Sequence, residues 1–254
     1  MTEAMRPFLF AWQFLTAVPL SRHHHEPAPN ELAGSMVWYP LVGLVLGGLA
    51  AGADFLLAAW FSREVASALV IALLIGLTRG LHQDGLADTL DGLAGGRTPV
   101  DRLAIMRDPR IGAIGATGLF VSLLLRYTAL VSLPESIRFP VILCLPALGR
   151  WAMVMGAWGA SYARPGGGLA APFLLHLSGT HVLSATVLVG GVLGWGFGMT
   201  GAIAVVAIGL CLTRLMTAFY RRSFGGVTGD TLGATNEVVE VSFLLAAPLL
   251  TLLP

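Results

Sequence analysis

Seven apolar runs of near-membrane length constrain this chain more than any other feature. They cover residues 36–60, 65–82, 111–133, 139–160, 181–198, 201–218 and 240–254. A helix crosses a bilayer with about 20 mostly apolar residues, and in lipid it satisfies its own backbone groups. The runs are continuous rather than alternating, which sets aside a membrane β-barrel. Only 11% of the residues are charged and 56% are hydrophobic, whereas a soluble domain carries about 25% charged residues. The sequence therefore predicts an all-α fold. It would be a polytopic transmembrane bundle of about six to seven spans with cytoplasmic catalytic loops, forming one integral membrane domain over residues 1–254. The last run is short, and 181–218 is split only by Gly198-Met-Thr-Gly201. Residues 8–20 are apolar but no small-residue cleavage site follows them. They read as a short helix lying on the membrane or partly inserted in it.

Arginine placement gives the orientation. With residues 83–110 on the cytoplasmic side, alternation also puts 1–35, 161–180 and 219–239 there. That side then holds Arg6, Arg22, Arg79, Arg97, Arg102, Arg107, Arg110, Arg164, Arg221 and Arg222, against Arg63 and Arg138 outside. Net charge is +1, so there is no basic field for nucleic acid. Cys144 and Cys211 sit in apolar runs and read as small core residues. His23–His25 reads as a solvated loop rather than a metal site. Arg126 falls mid-span and calls for an ion partner or a function. Asp54, Arg150 and Arg214 lie nearer span ends, where snorkelling to water is expected. Gly43 and Gly47 mark close helix packing.

Between the runs lies one polar stretch, 79–116, with five of the fourteen acidic residues and five of the fifteen arginines. Asp84, Asp88 and Asp91 are spaced i, i+4, i+7, which puts three carboxylates on one helix face. They repel one another, and a hard divalent cation offsets that repulsion. Mg²⁺ takes oxygen ligands, often one or two carboxylates completed by substrate phosphates. Gly85 and Gly92 leave room for backbone N–H groups to approach phosphate. Arg79, Arg107 and Arg110 offer planar donors for phosphate oxygens, with Asp108 to orient the latter two. His82 is a candidate base. Together they suggest a metal-assisted phosphoryl or phosphodiester transfer to a hydroxyl. A second polar segment, 221–240, carries Asp230, Asn236, Glu237 and Glu240 beyond the glycine-rich stretch 225–233. It reads as a flexible loop closing over the metal and leaving group, or as a turn opening the last helix.

Four motifs resemble one family. His82-Gln-Asp84-Gly-Leu-Ala-Asp88-Thr-Leu-Asp91-Gly, Ile105-Met-Arg107-Asp108-Pro-Arg110-Ile-Gly112, Gly225-Gly-Val-Thr228-Gly-Asp230-Thr-Leu-Gly233 and Phe14-Leu-Thr-Ala-Val-Pro19 with Tyr39-Pro40 occur in order. They look like cobalamin synthases, the adenosylcobinamide-GDP ribazoletransferases. Gln83 and Pro109 depart from the family pattern without removing a candidate ligand. The resemblance implies that adenosylcobinamide-GDP and α-ribazole, or its 5′-phosphate, give adenosylcobalamin, or its 5′-phosphate, and GMP. It also implies Mg²⁺ and a bacterial cytoplasmic membrane. Further partners would be other cobalamin-assembly enzymes or a second copy of the chain. On that reading Asp84, Asp88 and Asp91 hold the metal, with Asp91 or His82 as base. Arg79, Arg107 and Arg110 hold the diphosphate, and Asp230, Asn236, Glu237 and Glu240 hold a second metal or the nucleoside.

Two alternatives remain at this stage. A CDP-alcohol phosphotransferase also uses an aspartate cluster with Mg²⁺, but Gly95 and Gly96 stand where its motif needs Ala and Arg. A transporter would use Arg126 and Asp54 along a path, yet no repeat of 79–116 occurs in the second half.

Overall fold

The computed structural model describes residues 5–20, 28–168 and 170–252. Arg22 and the His23–His25 run lie outside the described residues. Eleven α-helices follow in order among those described: α1 (Arg6–Leu15), α2 (Pro29–Ser35), α3 (Tyr39–Leu57), α4 (Arg63–Thr78), α5 (Leu81–Gly95), α6 (Pro99–Ile105), α7 (Ala113–Ser132), α8 (Glu135–Ala157), α9 (Ala171–Leu175), α10 (Gly179–Phe224) and α11 (Gly229–Ala246). No strand occurs among them, only an isolated bridge between Tyr162 and Val227. Five stretches are long and apolar enough to cross a membrane: Glu31–Leu57, Ala113–Ser132, Glu135–Ala157, Gly179–Phe224 and Gly229–Leu252. The bent pair α4 and α5 makes a sixth if it counts as one span. The protein is a polytopic helical membrane protein.

α8 is the hub, buried almost continuously from Val141 to Ala157. α3 lies against it because Gly43 and Gly47 have no side chain. A Cβ at Gly43 would sit 2.6 Å from the Ala147 Cα, and one at Gly47 would strike the Leu143 backbone. Lipid supplies no hydrophobic drive between helices, so such close backbone contact carries the packing.

α10 has 46 residues, about 69 Å if straight and twice the ~30 Å hydrocarbon core. It is not straight. Gly198 has φ 70°, ψ 172°, a conformation essentially reserved for glycine. Trp151 of α8 touches both arms. Its Nε1 donates to Thr186 Oγ1 at 3.0 Å, and a Cβ at Gly209 would lie 3.1 Å from its ring. Those two positions would be about 35 Å apart on one rod, so the arms fold back on each other. The expected division at 198–201 is thus a helical hairpin.

Three expected boundaries change. The run 65–82 ends at Thr78, where Arg79 (φ 55°) and Gly80 (φ 67°) turn the chain and α5 leaves α4 at 87°. The last helix begins at Gly229 rather than 240, so residues expected in a surface turn enter the bundle. α1 is a ten-residue helix, about 15 Å long and too short to cross. It docks on the bundle beside the α4–α5 bend, where Ala17 N–H donates to the Leu77 carbonyl at 2.6 Å.

Candidate active site

α5 meets α11 at close range. A Cβ at Gly85 would lie 2.7 Å from the Asp230 carbonyl oxygen, and Gly233 packs over His82 and Gly85. Gly92 does the same work against Arg102 and Met106 around α6. These glycines serve helix contact, not the approach of phosphate that their sequence context suggested.

The contact brings the carboxylates together. Asp84, Asp91 and Asp230 all lie close enough to Asp88 for their charges to act on it. They do not share one role. Asp91 accepts from the backbone N–H of Gly112 and of Gly115, both at 2.7 Å. It caps the first turn of α7, where the helix dipole favours an anion. Asp230 accepts from Arg164 Nη2 at 2.7 Å. Asp84 and Asp88 hold no hydrogen bond or ion pair among the described residues. Asp84 is exposed and Asp88 half-buried.

Asp84 stands between two cavities. One, about 630 Å³, is lined by Thr78, Arg79, Gln83 and Asp84 and by apolar residues of α4 and α7. Arg79 is exposed and donates to the Ala17 carbonyl at 3.2 Å. The other, about 170 Å³, is lined by Phe14, Leu81, His82, Asp84, Arg164 and Asp230, among others. Phe14 borders both.

Beneath this junction lies a buried ionic cluster. Arg126 donates to Glu240 at 2.6 Å and to Glu237 at 2.9 Å. Arg150 donates to Glu240 at 2.7 Å. Asn236 donates to Glu240 at 3.0 Å and Gln83 to Glu237 at 3.0 Å. Two guanidiniums face two carboxylates, so the charges balance. Glu237 and Glu240 are 1% and 2% exposed and Asn236 is fully buried. These three therefore do not grip a nucleoside or a second metal. Their oxygens tie α11 to α5, α7 and α8. The ion partner expected for Arg126 is this pair of glutamates. Arg150 and Asp54 do not snorkel: Arg150 is in the cluster, and Asp54 pairs with Arg138 at 2.5 and 2.7 Å at the other end of the bundle. Arg214 is half-buried and lies over the Trp158 ring.

Two further expectations change. Residues 225–228 are an ordered turn, and 229–233 are the first turns of α11. Gly225 (φ 82°) ends α10, Val227 exchanges backbone hydrogen bonds with Ser161 and Ala163, and Thr228 caps α11. Arg107, Asp108 and Arg110 lie in the α6–α7 connection. Asp108 accepts from Arg110 Nε and Nη2 at 2.9 and 2.6 Å, which holds its carboxyl at about 2. Asp108 thus orients Arg110, while Arg107 is exposed. The sequence reading missed Arg164. It is the one charged residue of the 158–170 connection, followed by Pro165-Gly-Gly-Gly, on the side already assigned to the acidic stretch.

The donor set suits a hard cation only in part. Among the described residues no three Asp, Glu, His or Cys side chains are grouped to hold a metal ion. Asp84 and Asp88 are oxygen donors without other partners, which fits a Mg²⁺ completed by phosphate and water. Asp91 and Asp230 are committed elsewhere.

The acidic face at one end of the helical bundle, with arginines and two cavities beside it, is the candidate site of a membrane-embedded transferase. The sequence pattern of the family described as Cobalamin-5-phosphate synthase matches residues 7–248, and the chain belongs to that family. Three relatives are named adenosylcobinamide-GDP ribazoletransferase. That of Desulforamulus reducens is 41% identical over 239 residues, 92% of this chain and 94% of the relative. That of Syntrophobacter fumaroxidans is 40% identical over 86% and 88%, and that of Pseudomonas savastanoi pv. phaseolicola 39% over 97% and 100%. No solved structure matches. The family is one of cobalamin-synthesis transferases, which sets aside the CDP-alcohol and transporter alternatives.

Proposed function

We propose that the chain joins adenosylcobinamide-GDP to α-ribazole or its 5′-phosphate and releases GMP. The reaction would take place at the cytoplasmic face of a bacterial inner membrane. The observation that carries this reading is the position of Asp84 and Asp88. They are the two acidic side chains of α5 with free oxygens, and Asp84 stands where two cavities meet. Each cavity also has its own arginine. The larger, with Arg79, takes the diphosphate donor. The smaller, with Arg164 and Asp230, takes the acceptor nucleoside.

The ribose hydroxyl attacks the phosphorus that remains on the cobinamide. The phosphoanhydride bond to GMP breaks, and the hydroxyl proton passes to a carboxylate. Asp88 is suited to receive it, because its oxygens have no protein partner and it lies near Asp230 and Arg164, which line the acceptor cavity. Arg79 binds the donor's phosphate oxygens with the planar fork of its guanidinium. Arg164 holds Asp230 out of competition and borders the acceptor. Mg²⁺, which Asp84 and Asp88 would hold, would supply neutralisation of phosphate charge. The Asp91 cap fixes α5 relative to the Arg107–Arg110 connection, from which Arg110 can meet the leaving nucleotide.

A turnover assay tests the reading. Detergent-purified protein is given adenosylcobinamide-GDP, α-ribazole and Mg²⁺, and GMP and corrinoid product are separated by chromatography. Stoichiometric, metal-dependent release of both is expected. A folded preparation that releases neither sinks the proposal.

A further inference from the structure

His82 lines the smaller cavity, yet it is 1% exposed, and its Nε2 has no hydrogen-bond partner among the described residues. Its Nδ1 faces Arg150, whose Nη2 lies 3.4 Å away. A guanidinium donates and cannot accept. Nδ1 is therefore the acceptor of that contact, and the proton of the neutral ring sits on Nε2. An imidazolium would set N–H against N–H and add a third positive charge to a cluster whose two arginines are already balanced by two glutamates. His82 thus has no free lone pair to act as a base. What remains at the cavity wall is one buried N–H donor with nothing to donate to among the described residues, a condition that native proteins rarely leave unmet.

The cavity has two kinds of lining. Phe14, Leu81, Met153 and Ala170 are apolar and suit a flat ring, whereas Asp84, Asp230 and Arg164 are charged, the last two paired with each other. Its volume of about 170 Å³ suits a base alone rather than a whole nucleoside, so the base would enter and the ribose would stand outside, at the carboxylates.

We propose that His82 Nε2–H is the specificity donor for the acceptor nucleoside, hydrogen-bonding the unsubstituted ring nitrogen of an imidazole-type base. This rests on the reaction proposed above, which requires a nucleoside acceptor. It assigns that acceptor a pocket and a selection rule: a base with an sp² nitrogen in that position is favoured over one carrying C–H there. A site built to hydrogen-bond a substrate group rejects the analogue that lacks it.

The test compares two α-ribosides of equal shape, benzimidazole and indole, which differ by one ring nitrogen against one C–H. Binding is measured by calorimetry on the detergent-purified full chain, without the donor substrate, and GMP release is measured separately. The wild type is expected to bind the benzimidazole riboside roughly 10- to 100-fold more tightly. His82→Phe should reduce that ratio to within about threefold, and His82→Gln, which restores an N–H donor, should recover part of it. Equal binding of both ribosides by the wild type overturns the proposal, as does His82→Phe with the preference intact. Should His82→Phe fail to fold because Arg150 has lost its acceptor, the wild-type ratio and His82→Gln decide. A clear binding preference without GMP release sinks the reaction assigned to the site and leaves the pocket standing.

Discussion

Four aspartates cluster at the junction of α5 and α11, and their partners separate them. Asp84 and Asp88 have free oxygens, Asp230 is tied to Arg164, and Asp91 is tied to two backbone amides. A free carboxylate at a site can be altered with little structural cost, whereas a capping one cannot. Asp88→Asn is therefore expected to lower kcat at least ~10²-fold, the range for losing a positioned proton acceptor, with an unfolding midpoint close to wild type. Asp91→Asn is expected to do the opposite. Its amide can accept from only one of the two N–H groups, so about 1 kcal/mol of capping is lost and kcat falls less than in Asp88→Asn. GMP release and thermal unfolding in the same detergent check both. An Asp91→Asn protein of unchanged stability with activity abolished would return Asp91 to the catalytic set. The i, i+4, i+7 spacing made the shared face legible in the sequence. The division of labour was not, because Asp91 meets Gly112 and Gly115 from 21 and 24 residues away. A spacing rule along one helix cannot see such partners.

At the scale of elements, the bend between α4 and α5 creates the site. Two consecutive left-handed residues turn the chain, and one of them, Arg79, is not a glycine. Left-handed backbone at a residue with a Cβ costs on the order of 1–2 kcal/mol. A glycine would hold the bend more easily, so the side chain earns its place by something other than folding. Arg79→Gly is expected to change stability by less than ~1 kcal/mol, since relief of strain and the added freedom of the unfolded chain oppose each other. The same change should raise KM for adenosylcobinamide-GDP by roughly tenfold, as expected for one lost charge-assisted hydrogen bond. Steady-state kinetics alongside thermal unfolding checks it, and unaltered kinetics would take Arg79 out of the donor site. The bend itself was hidden in the sequence, because Arg79 and Gly80 fall at the end of an apolar run and hydropathy does not register φ. The hairpin at Gly198 was visible, since glycines at both 198 and 201 interrupt a run too long for one crossing. Arg126, expected to need a partner at mid-span, found two glutamates that the sequence had placed in a surface turn. That expectation followed from starting the last span at 240 rather than at Gly229.

The whole molecule is a bundle with two polar ends of different kind. One end carries the site. At the other, Asp54 and Arg138 close a buried ion pair that also takes in Ser67 and the Leu130 carbonyl, near Arg63 and Glu135. The ends differ in charge as well: four of the fifteen arginines lie in the α5–α7 connection alone, at 97, 102, 107 and 110. Short loops rich in arginine stay on the cytoplasmic side during insertion, so the site should open to the cytoplasm, where nucleotide substrates are found. Two surface positions report this. Val100 is 75% exposed at the site end and Trp60 is 84% exposed at the other. Cys144 is buried and Cys211 is exposed, so the background needs only Cys211→Ser. In whole cells stripped of their wall, a membrane-impermeant maleimide is expected to label Trp60→Cys and spare Val100→Cys, and in inside-out vesicles the pattern should reverse. The opposite pattern would turn the bundle over and place the carboxylates on the outer face. The arginine bias would then need another cause, and the nucleotide donor would have to reach the site from outside.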